Sequence, residues 1–144
     1  MRVQDILLRK GKTVHQILPS ESLTGVVSRL VDFNCGSLVV TESQKVLGII
    51  TERDILKAIS SEKQSLSNLF VRDFMTRNLV TGCSDDDVSD LMGVMTQHRI
   101  RHLPIIDHGN LVGMISIGDL VKAQFDSLAV ENKQMMSYIQ GDVR

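Results

Sequence analysis

The stretch LGIITERDILKAI, Leu47–Ile59, returns later in the chain as LVGMISIGDLVKAQ, Leu111–Gln124. Each copy reads as an apolar strand ending in a hydroxyl residue, with an aspartate three residues on: Thr51 with Asp54, and Ser116 with Asp119. Adding 65 to the residue number carries Gly48 to Gly113, Ile50 to Ile115, Lys57 to Lys122 and Ala58 to Ala123. The same shift pairs Leu23 with Val88, Val26 with Leu91, Leu30 with Met95 and Leu38 with Leu103, and it needs no gap between Thr13–Ile59 and Asn78–Gln124. A glycine, a carboxylate and an apolar rhythm kept together mark an internal duplication.

Both copies have the same surroundings. SESLTGVVSRLVDFN, Ser20–Asn34, spaces its apolar residues along one helical face, and SDDDVSDLMGVMTQH, Ser84–His98, repeats the pattern. Ser84 and Asp87 stand at capping-box spacing, and an acidic first turn suits a helix start. Then come a short apolar strand (SLVVT or HLPII), a polar turn (ESQK or DHGN) and a second strand (VLGIIT or LVGMIS). The last helix begins at the hydroxyl residue. With a strand before it, each unit reads β-α-β-β-α, an α+β fold in which two small repeats share a core, because about sixty residues bury too little alone. The expected bounds are 1–62 for the first repeat with its lead-in, 63–126 for the second with its linker, and 127–144 for a C-terminal helix. VQDILL, Val3–Leu8, resembles VRDFM, Val71–Met75, and each is read as leading into the repeat that follows it.

Composition narrows the function classes. Of 144 residues, 42% are hydrophobic, enough for a core. A net charge of −1 and 3% aromatic residues give neither the basic footprint nor the stacking platforms of a nucleic-acid binder. No apolar run approaches a membrane span. Two cysteines, Cys35 and Cys83, make no disulfide framework, and a reducing, cytoplasmic setting is expected.

The polar turn carries the chemistry. A hydroxyl at the end of a strand caps the next helix, and the free N–H groups there suit a phosphate. A carboxylate one turn in can accept both hydroxyls of a ribose. The plainer reading is that Thr51 and Ser116 are caps and that Asp54 and Asp119 favour the helix dipole.

Two G-h-h-[ST]-x-x-D turns in register, the RHLPIID strand and the 65-residue period resemble the CBS domain, over nearly the whole chain. The resemblance implies two CBS repeats related by a pseudo-twofold axis and packed through their sheets, as in a Bateman module. TERD, GDLVKAQ and MMSYIQG are also similar to stand-alone two-repeat members with no catalytic domain. It further implies a homodimer and a regulatory ligand with an adenosine group: AMP, ADP, ATP, NAD(H) or S-adenosylmethionine. Asp54 and Asp119 match the ribose-holding positions, and Thr51 and Ser116 approach the phosphate. Arg101 and His102 match positions where nucleotide-sensing relatives place basic residues, and the first repeat has Gly36 and Ser37 there. Arg53 stands where the second turn has Gly118. The cations are therefore unequal, and Arg53 and Arg101 are the expected phosphate ligands. Family geometry implies crossed sites, with Asp119 facing Thr13, His15 and Cys35, and Asp54 facing Val80 and Ile100, all meeting adenine.

Other classes fit less well. His98 and His102 have the spacing of a helical metal pair, but Pro104 opposes a helix there, so neither they nor His108 make a zinc site. Asp85–Asp87 reads as a helix start. Neither cysteine lies in a catalytic signature, and no enzyme is expected. The remaining alternative is a protein-interaction module with vestigial nucleotide sites. LAVENKQMMSYIQ has apolar points at Leu128, Met135, Met136 and Ile139 that would pack across a dimer or on an unidentified target protein.

Overall fold

The computed structural model describes residues 1–139. In chain order the elements are α1 (Val3–Lys10), β1 (Gln16–Ile17), α2 (Leu23–Phe33), β2 (Ser37–Glu42), β3 (Lys45–Thr51), α3 (Glu52–Ser61), a 3-10 turn (Leu66–Asn68), α4 (Val71–Phe74), α5 (Val88–His98), β4 (His102–Asp107), β5 (Asn110–Ser116) and α6 (Ile117–Ile139). The expected β-α-β-β-α order is present in full in the first repeat, and the second runs α-β-β-α. The chain forms two compact units, Thr13–Thr81 and Met1–Lys12 with the chain from Gly82 onward.

In the Thr13–Thr81 unit, β1 runs parallel to β2 and β2 antiparallel to β3. In the other unit β4 and β5 pair antiparallel, and a parallel bridge from Gly82 to Ile105 stands for β1. The duplication extends to irregularities. The register slips between Val40 and Thr41 in one hairpin and between Ile105 and Ile106 in the other, 65 residues on. Both hairpins turn through two residues of positive φ, Ser43 and Gln44 in one, His108 and Gly109 in the other. That is the backbone a two-residue hairpin turn requires.

The core follows the sequence pattern. Leu23, Val26, Leu30, Leu38, Ile50 and Ile55 are buried together in one unit. Their equivalents Val88, Leu91, Met95, Leu103, Ile115 and Leu120 are buried in the other. Side chains from one stripe of each helix and alternate positions of each strand therefore share an interior.

One expectation is corrected, at Ser84, and the lead-ins pack where chain order alone does not place them. The lead-ins do not dock on the repeats that follow them. Val3 N–H donates to Asp86 O at 2.9 Å and Gln4 N–H to Ser84 O at 2.9 Å, so α1 sits against the start of α5. Val71 N–H donates to Glu21 O at 2.9 Å and Arg72 N–H to Pro19 O at 3.0 Å, so α4 sits against the start of α2. The bounds at 62/63 follow the repeat in sequence, whereas the compact units exchange its lead-ins. The physical reason is that each lead-in uses its backbone to satisfy the loop before a helix, and that loop belongs to the other repeat. The capping box expected at Ser84 is also absent. Asp87 caps α5, accepting from Ser89 N–H, while Ser84 donates its N–H and hydroxyl to Asp107. The last five residues of the expected C-terminal segment lie outside the described residues.

Candidate functional site

The first turn is a reciprocal cap. Thr51 ends β3 in extended backbone, and its Oγ1 accepts from Asp54 N–H at 3.4 Å. Asp54 Oδ2 in return accepts from Thr51 N–H at 3.0 Å. A third group joins them: Thr76 Oγ1 donates to Asp54 Oδ1 at 3.3 Å. Thr76 is held there by two backbone bonds with Ile49, Thr76 N–H to Ile49 O at 2.8 Å and Ile49 N–H to Thr76 O at 3.0 Å. Asp54 is buried, and among the described residues no ion pair reaches it. Hydroxyl, amide and the N-terminus of α3 face its charge instead.

The second turn has the same cap and a different partner. Ser116 N–H donates to Asp119 Oδ2 at 2.8 Å, and Asp119 N–H to Ser116 Oγ at 3.1 Å. The Lys10 ammonium donates to Asp119 Oδ2 at 2.6 Å and to Met114 O at 2.8 Å. Met114 is the repeat equivalent of Ile49, so one lysine side chain fills both bonding roles that the N–H and hydroxyl of Thr76 fill in the first repeat. Burial is the largest influence on the Asp119 carboxyl and works to raise its pKa. The Lys10 ammonium, with the Ser116 N–H, outweighs it and holds the group below the ordinary 3.8.

A carboxyl depressed on folding contributes stability above its unfolded pKa and loses it as pH falls through the folded value. Lys10 and Asp119 are both partly exposed, so the pair is worth about 0.5–1 kcal/mol at pH 7. Lys10→Met should show that loss in urea unfolding at pH 7, and the gap to the wild type should close below about pH 4, where the unfolded carboxylate takes up its proton. A gap unchanged at pH 3 would assign Lys10 a packing role alone.

Backbone and cap satisfy most of each helix start. The first N–H of α3, on Glu52, donates to Gly36 O at 3.1 Å, and that of α6, on Ile117, to Arg101 O at 2.9 Å. The Asp54 and Asp119 N–H groups are used in the caps, and the residue between is Arg53 in one turn and Gly118 in the other. Arg53 and Arg101 are exposed, and neither guanidinium joins an ion pair among the described residues. His102 is half-buried and pairs across the hairpin with Ser116, as Ser37 pairs with Thr51. Lys10, Arg101 and His102 therefore gather at the second turn, where the first has Thr76, Gly36 and Ser37.

The expected adenine-facing residues divide between the units. Thr13, His15, Cys35 and Val80 share a unit with Asp54, and Ile100 shares one with Asp119. His15 stacks on Phe33 with ring centroids 4.0 Å apart. Cys35 donates its thiol to Ser37 O at 3.5 Å. Among the described residues no group of three or more His, Cys, Asp or Glu is placed to hold a metal ion.

Sequence reasoning missed Lys10 and Thr76. They are not equivalent under the 65-residue shift, because the lead-ins align at 68: Val3 with Val71, Asp5 with Asp73, Ile6 with Phe74. Three extra residues stand between this lead-in and its repeat, and α1 runs on to Lys10, four residues past Ile6, whereas α4 stops at Phe74. The signal was a change of offset between lead-in and repeat.

Comparison with known proteins agrees with this organisation. The family model described as CBS domain matches residues 3–61 and 71–126. The CBS domain-containing protein CBSX3, mitochondrial, of Arabidopsis thaliana is 34% identical over 148 residues, covering 96% of this chain and 72% of that protein. The crystal structure of the CBS-domain containing protein ATU1752 from Agrobacterium tumefaciens is 38% identical, with a TM-score of 0.83 over 86% of this chain and 99% of that one. The CBS domain pair of protein MJ0100, solved in complex with 5′-methylthioadenosine and S-adenosyl-L-methionine, is 26% identical, with a TM-score of 0.76 over 85% and 98%. No described helix is long and apolar enough to cross a membrane.

Proposed function

Because this chain belongs to the CBS-domain family, carrying a pair of its repeats, we propose that its two hydroxyl-aspartate turns bind adenosine nucleotides as regulatory ligands and that the protein is not an enzyme. The observation that carries the reading is the reciprocal turn itself. Thr51 with Asp54, and Ser116 with Asp119, place a carboxylate and a helix start together twice, 65 residues apart. The related MJ0100 pair, which binds two adenosine compounds, supports the ligand class.

A carboxylate has about four acceptor sites, and the caps load chiefly Oδ2 of each aspartate. Oδ1 is left to take ribose hydroxyls, at Asp54 in competition with Thr76. Arg53 serves the phosphate at the first turn, and Arg101 and His102 serve it at the second. Thr13, His15, Cys35, Val80 and Ile100 are assigned to the adenine, through aliphatic contact and backbone hydrogen bonds. The extra cations favour phosphate-bearing AMP, ATP or NAD(H) at the second turn, and the uncompensated Asp54 favours a ligand of lower negative charge at the first. A cytoplasmic homodimer then changes its population of shapes by the ligand's differential affinity and passes that change to a target protein.

Equilibrium dialysis of ligand-stripped protein against AMP, ATP, NAD⁺, NADH and S-adenosylmethionine tests the ligand. Hydrogen exchange with and without the compound that binds tests the signal. Binding by one of them, with altered exchange, is expected. No binding by any would leave the interaction module, which the exposed apolar side chains of α6 favour.

A further inference from the structure

The C-terminal helix carries a second pattern, different from the one that buries its first turns. Leu120 and Ala123 face the unit's own interior. Val121, Phe125, Leu128, Met135 and Ile139 are 52–73% exposed. With Asn132 they fall at intervals of four, three, four, three and four residues. That is a 3.5-residue seam, the spacing of a coiled coil, with Phe125, Asn132 and Ile139 at one seam position and Val121, Leu128 and Met135 at the other. From Leu128 to Met136 every residue is exposed. A helical stretch this exposed is marginal in water without a partner. Residues 127–139 lie beyond the family match, which ends at residue 126.

We propose that α6 pairs with α6 of a second copy of this chain as a parallel, in-register, two-stranded coiled coil through this seam. Asn132 decides the partner and the direction. In a parallel pair in register the two Asn132 amides meet and bond to one another, whereas an antiparallel pair sets Asn132 against an apolar residue and leaves its amide unsatisfied. A single asparagine among apolar layers holds register at the cost of some stability. The flanking positions add no repulsion, since Glu131 faces the partner helix at its Met136 position and Gln124 at its Ala129 position. Five apolar side chains from each copy hide roughly 1,000 Å² in total, the lower bound of a stable interface. The inference rests on the homodimer reading and is independent of nucleotide binding.

The test uses the full chain with Cys35→Ala and Cys83→Ala, in which Met135→Cys is compared with Lys133→Cys under mild oxidation. In the parallel pair the residue at 135 faces its own copy within disulfide reach and should cross-link at least about tenfold faster than the outward residue at 133. Sedimentation equilibrium should show the wild type as a dimer and Leu128→Lys with Met135→Lys as a folded monomer. A monomeric wild type would remove both the seam and the homodimer. A dimer with equal cross-linking at 133 and 135 would remove the seam and keep the homodimer.

Discussion

A bound adenosine nucleotide should raise the unfolding midpoint of this protein by about 5–10 °C. At about 1 mM, a ligand with Kd near 10 μM stabilises by about 2.7 kcal/mol for each site it fills, since it binds the folded chain and not the unfolded one. The effect should depend on the two turn aspartates in a separable way. Asp54→Asn turns a carboxylate oxygen into an N–H₂ donor and so loses acceptance of a ribose hydroxyl, while keeping size and part of the cap. The variant's own midpoint should drop because Thr51 and Thr76 both lean on that carboxylate. The ligand-induced shift is therefore read against each variant's own baseline. Each single substitution should remove the contribution of one turn, and Asp54→Asn with Asp119→Asn should remove the shift altogether.

Gly48→Ala should cost about 2–4 kcal/mol, from overpacking together with a lost backbone bond. A Cβ at Gly48 would stand 2.6 Å from Thr76 O, a backbone atom that already accepts from Ile49 N–H. The Thr76 backbone must therefore move, and with it the hydroxyl that donates to Asp54. Its repeat equivalent gives a control. A Cβ at Gly113 meets only side-chain atoms, Leu7 Cδ2 at 2.6 Å and Cδ1 at 3.0 Å, so a leucine and not the backbone has to give, and Gly113→Ala should cost less, about 1–2 kcal/mol. Urea unfolding measures both. Equal costs would mean that the Ile49–Thr76 bridge yields as readily as a leucine rotamer, and the account of how Thr76 is held would be withdrawn.

The contrast between these glycines reflects what the sequence carried and what it did not. The repeat, its helices and its strands were legible because burial imposes periodicity, and Leu23, Val26 and Leu38 recur as Val88, Leu91 and Leu103 in equally buried places. The Thr51–Asp54 and Ser116–Asp119 pairs were legible because a cap is a local interaction, three residues long. Lys10 and Thr76 were not. Each reaches its aspartate from a lead-in distant in sequence, Lys10 to Asp119 across 109 residues and Thr76 to Asp54 across 22. No local rule ties such pairs together. The exchange of lead-ins has the same origin, since VQDILL and VRDFM look alike and nothing within them states which repeat they will satisfy. Ser84 misled for a related reason: its spacing from Asp87 suits a cap, but Asp107 in the hairpin offers both carboxylate oxygens to Ser84 N–H and Oγ.

Isothermal titration of ligand-stripped protein with AMP shows whether the two turns hold the nucleotide. Two unequal sites per chain are expected in the wild type, one remaining in each of Asp54→Asn and Asp119→Asn, and none in the double variant. Two-site heat persisting in the double variant would contradict this expectation, because the nucleotide would then be held by groups other than the two turns.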